Sequence, residues 1–422
     1  MKARIREIFY LLYRYLKAFL GGCLYYLCRL FPVKRRKVIF SSFSGMQGYS
    51  CNPKYIAEEL LRRNSKRPLS SKYELVWLVD DLSKSFPEGI LKKKNNLFNR
   101  AFHLTTSRVW IDNHRKPLET RKRKNHLYIN TWHGAIGFKA VGKLRGSALP
   151  RIAYIVSKHD SKMVDYFLSN SEWNENIIRQ AFFYNGKIIK TGSPRCDILI
   201  NKAKEHRDRI HTEYGLPMEA NILLLAPTFR SGDQRISMNA DKQEINISFD
   251  RLIEVLEKRF GGQWYIFLRL HPLISSKLDR SPIGIQHSRV VDVSLRDDIY
   301  DLLAIVDAFI SDYSSMTFDA AIMKIPVFIY SEDKNDYEAK RGKLLWQADE
   351  IPFMTAYDSN ELLDNILAFD MDKYEKALHE FFMKVGLKED GCASKRVADL
   401  IDNYVFGEGK NTSGKEASIS HF

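Results

Sequence analysis

The sequence predicts an α/β fold with two consecutive doubly wound parallel sheets, and three features of the chain point to it. Short apolar runs alternate with helix-like stretches from Val38 onward, which is the pattern of repeated strand–helix units. The 422 residues exceed what one hydrophobic core usually organises. A polar run over residues 201–214 separates two series of apolar runs. We therefore expect two Rossmann-type domains, residues 38–205 and 206–406, that face a cleft.

Each series of apolar runs predicts the strands of one sheet. In the first domain the predicted strands cover residues 38–43, 75–79, 109–111, 127–131, 154–157 and 187–191. In the second domain they cover residues 222–226, 264–270, 290–293, 308–311 and 326–330. A helix over 55–63 follows the first strand, and Pro53 suits its start because proline is favourable in a first helical turn. The Gly-, Ser- and Lys-rich stretch 407–422 predicts a disordered tail.

Composition excludes several classes of protein. With 45% hydrophobic and 12% aromatic residues the chain can build buried cores, so it is not a disordered protein. The five cysteines form no CxxC pair and no His/Cys metal spacing, which indicates a reducing compartment and predicts no metal site. The net charge of +15 is compatible with nucleic-acid binding, but no zinc-finger, RNP or recognition-helix pattern accompanies it. Nucleic acid is therefore not expected as a partner.

The first 37 residues predict an amphipathic helix that lies on a membrane surface. They hold ten basic side chains against Glu7 alone, which is nine of the fifteen net positive charges. On a helical wheel, charges occupy one arc and apolar side chains lie mostly opposite; the charges are Lys2, Arg6, Arg14 and Lys17, and the apolar residues are Ile5, Ile8, Phe9, Leu12, Leu16 and Phe19. The longest uncharged run, 18–28, is too short to span a bilayer. Basic residues 34–37 are expected to contact anionic lipid; the alternative is a helix packed on the protein itself.

Polar clusters follow directly after several predicted strands, where an α/β sheet places its ligands. Four such clusters are Trp132-His133-Gly134, Gly192-Ser193-Pro194-Arg195-Cys196-Asp197, Pro227-Thr228-Phe229-Arg230 and Arg269-Leu270-His271-Pro272. His133 and His271 lie in turns, one in each predicted domain. Each histidine alone is explained equally well as a hydrogen-bonded turn residue. Together they predict an acid/base or phosphate-binding pair.

A further cluster, Asp312-Tyr313-Ser314-Ser315, lies between the predicted strand 308–311 and a helix-like stretch. Free backbone N–H groups and the helix dipole stabilise an anion at such a helix start. Capping of the helix by serine is the alternative explanation. Arg195, Arg230 and Arg269 stand at three strand ends, and although each is open to explanation as surface charge, together with the serines they predict a polyphosphate site.

These motifs, taken in order, resemble the CDP-glycerol glycerophosphotransferase family, the wall teichoic acid and capsule enzymes of bacteria. The resemblance rests on Phe43-x-Gly45, Tyr49, Asn52-Pro53-Lys54, Trp132-His133-Gly134, Gly192-x-Pro194-Arg195-x-Asp197, Ala226-Pro227-Thr228-Phe229-Arg230, Arg269-x-His271-Pro272, Asp312-Tyr313-Ser314-Ser315 and Phe318-Asp319. It implies a GT-B-type fold, peripheral attachment at the cytoplasmic face of the cell membrane, and no metal requirement. The segment 134–142 looks more like the single-addition members than the polymerases. Two departures are Cys196 within its motif and Ala140, where a second lysine often follows Lys139.

The resemblance implies a transfer of polyol phosphate. A hydroxyl of a membrane-embedded, lipid-linked glycan acceptor attacks the β-phosphorus of a CDP-alcohol, and CMP leaves. The choice between CDP-glycerol and CDP-ribitol, the identity of the acceptor and the oligomeric state stay open, with a homo-oligomer among the alternatives. No cofactor is expected beyond the donor substrate.

The same resemblance suggests a role for each candidate residue. His133 takes the acceptor proton, and His271 with Arg269 stabilises the pyrophosphate and the departing CMP. Ser314 and Ser315 hold the diphosphate, and Asp319 accepts hydrogen bonds from the ribose. The remaining expected substrate contacts are Arg195, Arg230, Gly134, Thr228 and Asp312, and Asp312 is interpreted either as the ionised partner of an arginine or as a cap.

Two other functions are weighed against this one. A GT-B nucleotide-sugar glycosyltransferase would use a similar nucleotide site but transfer a sugar, because a fold does not determine its chemistry. A non-catalytic, basic, membrane-bound scaffold would account for the charge. It would leave His133, His271 and the two serines unexplained.

Overall fold

Strands and helices alternate along the chain and build two parallel sheets. The computed structural model describes residues 2–201, 204–228, 246–270, 287–341 and 343–407. The described chain separates into two units. The first contains residues up to Ala135, Val141–Asp197 and the chain from Lys388 onward, and the second contains Ile136–Ala140 and Ile198–Leu387.

The first unit is organised around a sheet of seven described strands. They are β1 Lys34–Ser41, β2 Glu74–Val79, β3 Ile90–Lys94, β4 Ser107–Asp112, β5 Leu127–Asn130, β6 Tyr166–Ser169 and β7 Lys187–Lys190, in the spatial order β3-β2-β1-β4-β5-β6-β7. All of these pairs are parallel. The order reverses between β1 and β4, and ligands of such sheets bind beyond the carboxyl ends of the strands at that point.

The second unit repeats the arrangement. Its described strands are β8 Asn221–Ala226, β9 Trp264–Leu268, β10 Val290–Asp292, β11 Ala308–Ser311, β12 Val327–Tyr330 and β13 Met354–Ala356, in the order β10-β9-β8-β11-β12-β13. All pairs are again parallel. The reversal lies between β8 and β11, so this unit also has the strand order of a dinucleotide-binding fold.

Helices connect the strands of both sheets. The first series is α1 Lys2–Leu27, α2 Cys51–Ser65, α3 Leu97–Thr106, α4 Arg151–Ser161, α5 Glu172–Ala181 and α6 Asp197–Ile200. The second is α7 Lys204–Tyr214, α8 Phe249–Phe260, α9 Tyr300–Leu303, α10 Met316–Ala321, α11 Lys334–Arg341, α12 Ser359–Ala368, α13 Met371–Val385 and α14 Ala393–Phe406. Because helices cover both faces of a parallel sheet, its central strands are apolar throughout, as in the buried run of β2.

The last helix, α14, returns to the first unit, which corrects the predicted boundary at residue 406. Val397, Ile401 and Val405 are fully buried in the core formed by β1, β2 and β4. Arg63 on α2 bonds to the carboxylates of Asp399 and Asp402, at 2.6 Å in each case. Burial of this apolar stripe, rather than nearness along the chain, decides where the helix packs.

Most predicted strands are observed, with four differences. Residues 154–157 are helical and belong to α4, because their apolar side chains continue the period of a helix that begins after Pro150. Strands β3, β6 and β13 were not predicted. β3 has the sequence Ile-Leu-Lys-Lys-Lys at the edge of its sheet, and lysine-rich edge strands lack the apolar run that marks a central strand.

Contact of the basic residues 34–37 with anionic lipid stays a prediction, but each of them has a partner within the protein. They belong to β1, and Lys34 pairs with Glu74 at 2.9 Å. Arg35 donates to the carbonyl of Val405, and Lys37 is 1% exposed. The strand therefore begins before Val38, and Lys37 is directed into the protein while residues 34–36 stay exposed. Several side chains of the second basic cluster, 115–124, likewise have internal partners, such as Asp165 for Lys122.

Helix α1 packs on the first unit along one face only. Ala18, Gly21, Gly22 and Tyr25 lie in the buried seam, where Glu119 and Arg121 approach the two glycines. The opposite face exposes the predicted apolar set: Ile5, Ile8, Phe9, Leu12, Leu16 and Phe19 are between 45% and 67% exposed. In the part of the chain that the structure describes, no helix has both the length and the hydropathy to cross a bilayer. Contact of the exposed face with lipid stays a prediction.

Candidate functional site

His133 lies beyond the carboxyl end of β5, in a turn enclosed by aromatic rings. The ring centroid of Trp132 is 4.3 Å from that of His133, and the centroid of Phe43 is 4.9 Å away. The ring of His114 is stacked at 5.8 Å. Phe43 follows β1 and His114 follows β4, so the histidine stands at the reversal point of the first sheet.

The turn that carries His133 is held in an unusual backbone conformation. Trp132 has a φ of 51°, which is uncommon for a residue with a bulky side chain. Its N–H donates to Asn130 Oδ1 at 2.9 Å, and its carbonyl accepts from Asn52 Nδ2 at 3.0 Å. These two amide side chains hold the backbone where it would otherwise relax, and such strain is found mainly at functional sites.

The tautomer of His133 follows from its hydrogen bond. Nδ1 lies 2.7 Å from the carbonyl oxygen of Asn113, and because a carbonyl only accepts, Nδ1 carries the proton. Nε2 therefore keeps its lone pair. Burial, reinforced by the neighbouring His114, lowers the pKa of His133 to about 3. The imidazole is thus neutral at physiological pH and has one nitrogen able to accept a proton.

A buried network of hydrogen bonds around Asp160 supports the same turn. Asp160 accepts from the hydroxyl of Tyr128 at 3.1 Å and from the backbone N–H of Lys116 at 3.0 Å. Its second carboxylate oxygen lies 3.5 Å from Nδ2 of Asn130, the residue that holds Trp132. Burial raises the pKa of Asp160 to about 7. Asn130 is thereby oriented by groups that sequence inspection does not bring together.

Arg195 is buried behind the His133 turn. Its Nη1 donates to the carbonyl of His133 at 2.5 Å, and its backbone N–H donates to Asn52 Oδ1 at 3.0 Å. The side chain is 3% exposed. In the described geometry Arg195 thus supports the turn, and its predicted contact with phosphate stays a prediction.

A pocket opens beside this arginine at the carboxyl ends of β5, β6 and β7. It is lined by Asn52, Thr131, Gly134, Ala135, Leu168, Ser169, Asn170, Asn174, Gly192, Ser193, Pro194 and Arg195, all in the first unit. The space between these residues, including the open mouth, is about 240 Å³. Gly134 and Arg195 are the predicted contact residues that line it.

In the second unit, the predicted residues Thr228 and Asp312 meet at the reversal point between β8 and β11. The backbone N–H of Thr228 donates to both carboxylate oxygens of Asp312, at 3.1 and 3.0 Å. Asp312 is 1% exposed. Of the two interpretations offered for Asp312, the described contact matches a cap on a backbone amide. This contact links the end of β8 to the end of β11.

Ser314 and Ser315 differ in what their hydroxyls do. Ser314 Oγ accepts from the backbone N–H of Met316 at 3.3 Å, as a local cap does. Ser315 stands at the N-cap of α10 with helical backbone angles, and its side chain makes no capping hydrogen bond. Capping therefore explains Ser314 but not Ser315. Gly137, in the second unit, lies against Ser315: a Cβ added there would come within 3.2 Å of the serine Cβ.

Asp319 and Arg269 have partners within the second unit. The hydroxyl of Tyr300 donates to Asp319 Oδ2 at 2.5 Å, and Asp319 is 1% exposed. Arg269 donates to the carbonyl of Arg296 at 2.8 Å, and burial lowers the pKa of Arg269 to about 10. Contact of Asp319 with ribose and of Arg269 with pyrophosphate stay predictions.

Two predicted residues lie outside the described part of the chain. They are His271 and Arg230, which fall in the ranges 271–286 and 229–245. Among the residues that the structure does describe, no group of three or more His, Cys, Asp or Glu side chains is arranged to hold a metal ion.

The structure adds residues that the sequence analysis did not assign to the site. Asn113 sets the tautomer of His133, and Asn52 joins Trp132 to Arg195. Asn170 and Asn174 line the pocket. Asn52 belongs to a recognised motif. Asn113 and Asn170 are single asparagines that follow strands, Asn174 lies in the first turn of α5, and nothing in their local sequence separates them from ordinary polar residues.

Comparison with known proteins assigns the chain to a family. The model of the family described as CDP-glycerol:poly(glycerophosphate) glycerophosphotransferase matches residues 23–403. A teichoic acid glycerol-phosphate transferase of Staphylococcus aureus is 30% identical over 383 residues, which is 86% of this chain and 92% of that protein. A teichoic acid poly(glycerol phosphate) polymerase of Staphylococcus epidermidis is 30% identical over 87% of this chain. The chain spans about half of that polymerase, 51% of its length.

Solved structures agree with this assignment. A structure of the wall teichoic acid polymerase TagF, in a variant with a histidine replaced by alanine, superposes with a TM-score of 0.75 at 26% identity, covering 97% of this chain and 98% of that one. A variant with a histidine replaced by asparagine, soaked with CDPG, also has a TM-score of 0.75 at 26% identity, covering 96% and 99% of the two chains. The α/β fold with two parallel sheets is thus shared with this enzyme. The chain belongs to the CDP-glycerol:poly(glycerophosphate) glycerophosphotransferase family.

Proposed function

We propose that the protein transfers a polyol phosphate, glycerol phosphate in the first instance, from a CDP-alcohol to a hydroxyl of a lipid-linked glycan in teichoic acid or capsule synthesis. Membership of the family and the likeness to a polymerase structure soaked with CDPG support this choice of donor. The observation that carries the proposal is the neutral, oriented imidazole of His133 at the reversal point of the first sheet.

His133 is the group best suited to take the proton of the attacking hydroxyl. The carbonyl of Asn113 fixes its tautomer, so Nε2 is the nitrogen that accepts. A pKa of about 3 makes the free imidazole a weak base. Bound diphosphate brings negative charge to the reacting centre, and an adjacent anion favours the protonated imidazole. The base therefore becomes stronger when the donor is present, and the oxygen–phosphorus bond forms as CMP departs.

The second unit is proposed to hold the donor. The hydroxyl of Ser315 makes no capping hydrogen bond, and it lies beside the backbone N–H groups at the start of α10. Phosphoryl transfer depends mainly on positioning and on stabilising charge, which hydroxyl, amide and arginine donors supply. His271, Arg269, Arg230 and Asp319 complete the proposed donor contacts. We propose that no metal ion is required, so turnover should persist in EDTA.

The exposed face of α1 is proposed to hold the enzyme on the cytoplasmic surface of the membrane. Its apolar side chains are 45% to 67% exposed, and Arg6 and Lys17 flank them with positive charge that is also exposed. A helix with this pattern lies in the interface, where apolar burial and attraction to anionic lipid add together.

A donor-selectivity assay tests the proposal. The purified protein is incubated with bacterial membranes and labelled CDP-glycerol, CDP-ribitol or a UDP-sugar, and the product mass and released nucleotide are measured. The proposal predicts CMP release and a mass gain of one or more polyol phosphate units. Release of UDP with a gain of one sugar would instead establish the glycosyltransferase function, and the absence of both CDP-alcohol binding and turnover would favour a scaffold.

A further inference from the structure

The pocket at the ends of β5, β6 and β7 contains polar side chains whose hydrogen-bonding capacity is not used. Asn170 is 2% exposed, and its Oδ1 is buried with no hydrogen-bond partner among the described residues. Within the same described residues, no hydrogen bond is made by the side chains of Asn174 or Ser193, which are 5% and 6% exposed. A buried amide oxygen without a partner costs free energy, because it has lost its hydrogen bonds to water. Such a cost in a native fold calls for a ligand or an ordered water.

The chemistry of these groups selects hydroxyls over anions. An amide Oδ1 only accepts hydrogen bonds, so it needs a donor, and a fully ionised phosphate has none to offer. A hydroxyl donates to Oδ1 and at the same time accepts from the Asn amide NH₂ or from Ser193. The carboxylate of Glu389 accepts from the Ser193 backbone N–H, at 3.0 and 3.1 Å, and adds negative charge next to the pocket. The guanidinium of Arg195 also lines the pocket, but it already donates to the His133 carbonyl, so the unsatisfied acceptor and the nearby carboxylate favour a neutral hydroxyl over a fully ionised phosphate.

The wall of this pocket is continuous with the turn that carries His133. Arg195 lines the pocket and donates to the carbonyl of His133, while Asn52 joins Arg195 to Trp132. Gly134, the next residue after His133, also lines it. A ligand in the pocket therefore rests on the same hydrogen-bonded frame that orients the proposed base. The pocket is narrow, so it admits the hydroxyl-bearing end of a ligand rather than a whole nucleotide.

We infer that this pocket binds the hydroxyl groups of the terminal polyol or sugar unit of the acceptor, with Asn170, Asn174 and Ser193 as the specificity-determining contacts. The inference rests on the proposed function, because it gives that function its acceptor subsite. It assigns the pocket to neutral hydroxyls rather than to phosphate or to the CDP-alcohol. The three residues act by binding, and none of them takes part in the chemical step.

Steady-state kinetics with matched variants test the inference. The variants are Asn170→Leu, which keeps the side-chain volume but removes the amide, and Asn174→Ala. With a soluble acceptor analogue that ends in glycerol phosphate, each should raise the acceptor KM by roughly 3- to 10-fold, the loss expected for one hydrogen bond. The KM for CDP-glycerol should not change. Asn64→Ala is the control, because Asn64 bonds to Tyr73 in the same unit and lies outside the pocket; it should lower the melting temperature without changing the acceptor KM.

A deoxy acceptor separates binding from a structural effect. With the wild-type enzyme, an analogue lacking one non-reacting hydroxyl of its terminal unit should have an acceptor KM raised by the same factor. With Asn170→Leu, removing that hydroxyl should raise the KM little further. An unchanged acceptor KM in both variants would overturn the inference and indicate that ordered water satisfies the amides. Equal increases in the KM for donor and for acceptor would also overturn the inference, since they would indicate a general disturbance of the fold.

Direct binding keeps this test independent of turnover. Ligand-observed NMR with glycerol and with inorganic phosphate, on wild type and Asn170→Leu, should show glycerol contact that the variant loses and no preference for phosphate. Glycerol binding without CDP-alcohol turnover would support the pocket and reject the proposed function. Turnover without glycerol binding, and with unaltered KM in the variants, would reject the pocket alone.

Discussion

At the scale of single residues, His133 is defined by its neighbours more than by its own position. The carbonyl of Asn113 determines which nitrogen is free, and burial together with His114 determines the charge. Both conditions suit a group that receives a proton, but the free imidazole is a weak base with its pKa at about 3. The proposed mechanism therefore depends on the donor's negative charge to complete the base.

Replacing His133 by alanine should lower kcat by about 10² or more, the usual contribution of a general base. Binding of CDP-glycerol, measured by calorimetry, should be retained. In the wild type, the acid limb of kcat/KM should lie well below pH 6.5, because the pKa of the free histidine is lowered to about 3. The acid limb of kcat should lie at higher pH, since the bound diphosphate raises that pKa. Near-normal turnover of His133→Ala would remove the residue from the mechanism.

Alanine substitutions of the two serines before α10 should have different effects on stability and on donor kinetics. Ser314→Ala removes the acceptor of the Met316 N–H and should destabilise the fold by up to about 1 kcal/mol, as a lost cap does. Ser315→Ala removes no cap and should leave the melting temperature unchanged while it raises the KM for CDP-glycerol. Donor kinetics and thermal melts of both variants check this. Unchanged donor kinetics in Ser315→Ala would remove that hydroxyl from the proposed donor site.

Asp160 should make the stability of the fold depend on pH. Its pKa is raised from 3.8 to about 7 by burial, so the folded state retains a proton that the unfolded chain loses. This contribution to stability is full below pH 4 and is lost as the pH rises through about 7. Asp160→Asn does not ionise, so the wild type should lose stability relative to this variant between pH 4 and 7, and the difference should level off above that. Urea denaturation across this pH range measures it, and a difference that does not vary with pH would contradict the assignment.

At the scale of elements, α1 is divided into a seam that belongs to the core and a face that does not. Tyr25 in the seam is fully buried, whereas Leu12 and Leu16 on the other face are each 59% exposed. Removal of the whole helix would therefore disturb the first unit, and removal of residues 34–36 with it would shorten β1. Substitutions on the exposed face test the membrane contact without either effect.

The double variant Leu12→Glu/Leu16→Glu should abolish binding to vesicles that contain anionic lipid, because it places two carboxylates where the apolar face would enter the interface. Its melting temperature should match the wild type. Leu69→Glu is the control, since Leu69 is 84% exposed but lies outside α1. Wild-type binding, measured by flotation, should weaken as salt rises, because exposed charges are screened beyond about 10 Å at 0.1 M. Full binding by the double variant would place the membrane contact elsewhere.

At the scale of the whole molecule, the chain closes on itself through α14, which follows the second sheet in sequence and packs on the first. Ile401 is fully buried among residues of β1, β2 and β4. Ile401→Ala should therefore lower the free energy of unfolding by about 2–5 kcal/mol. Hydrogen exchange should increase in β1 and β2, more than 300 residues away along the chain. Leu367→Ala on α12, where the side chain is 36% exposed, should lower the free energy of unfolding much less. Faster exchange confined to the second sheet would contradict this packing.

The sequence by itself determined the α/β class, the approximate positions of ten of the described strands and the family, because these depend on local features. An apolar run that ends in a polar turn marks a strand end whatever its distant partners are, so His133, Thr228 and Ser315 were found at strand ends. The order of the motifs along the chain identified the family, and the comparisons confirm it.

Only the tertiary structure decided which groups act together, since the contacts join residues far apart in sequence. The Asn113 carbonyl that orients His133, the return of α14 to the first unit, and the pairing of residues 34–37 within β1 depend on how the sheet is assembled. The orphaned amide of Asn170 is likewise visible only when three strand ends are brought side by side. Local sequence sets what each segment prefers to form; burial and the hydrogen bonds available on assembly decide what each side chain meets.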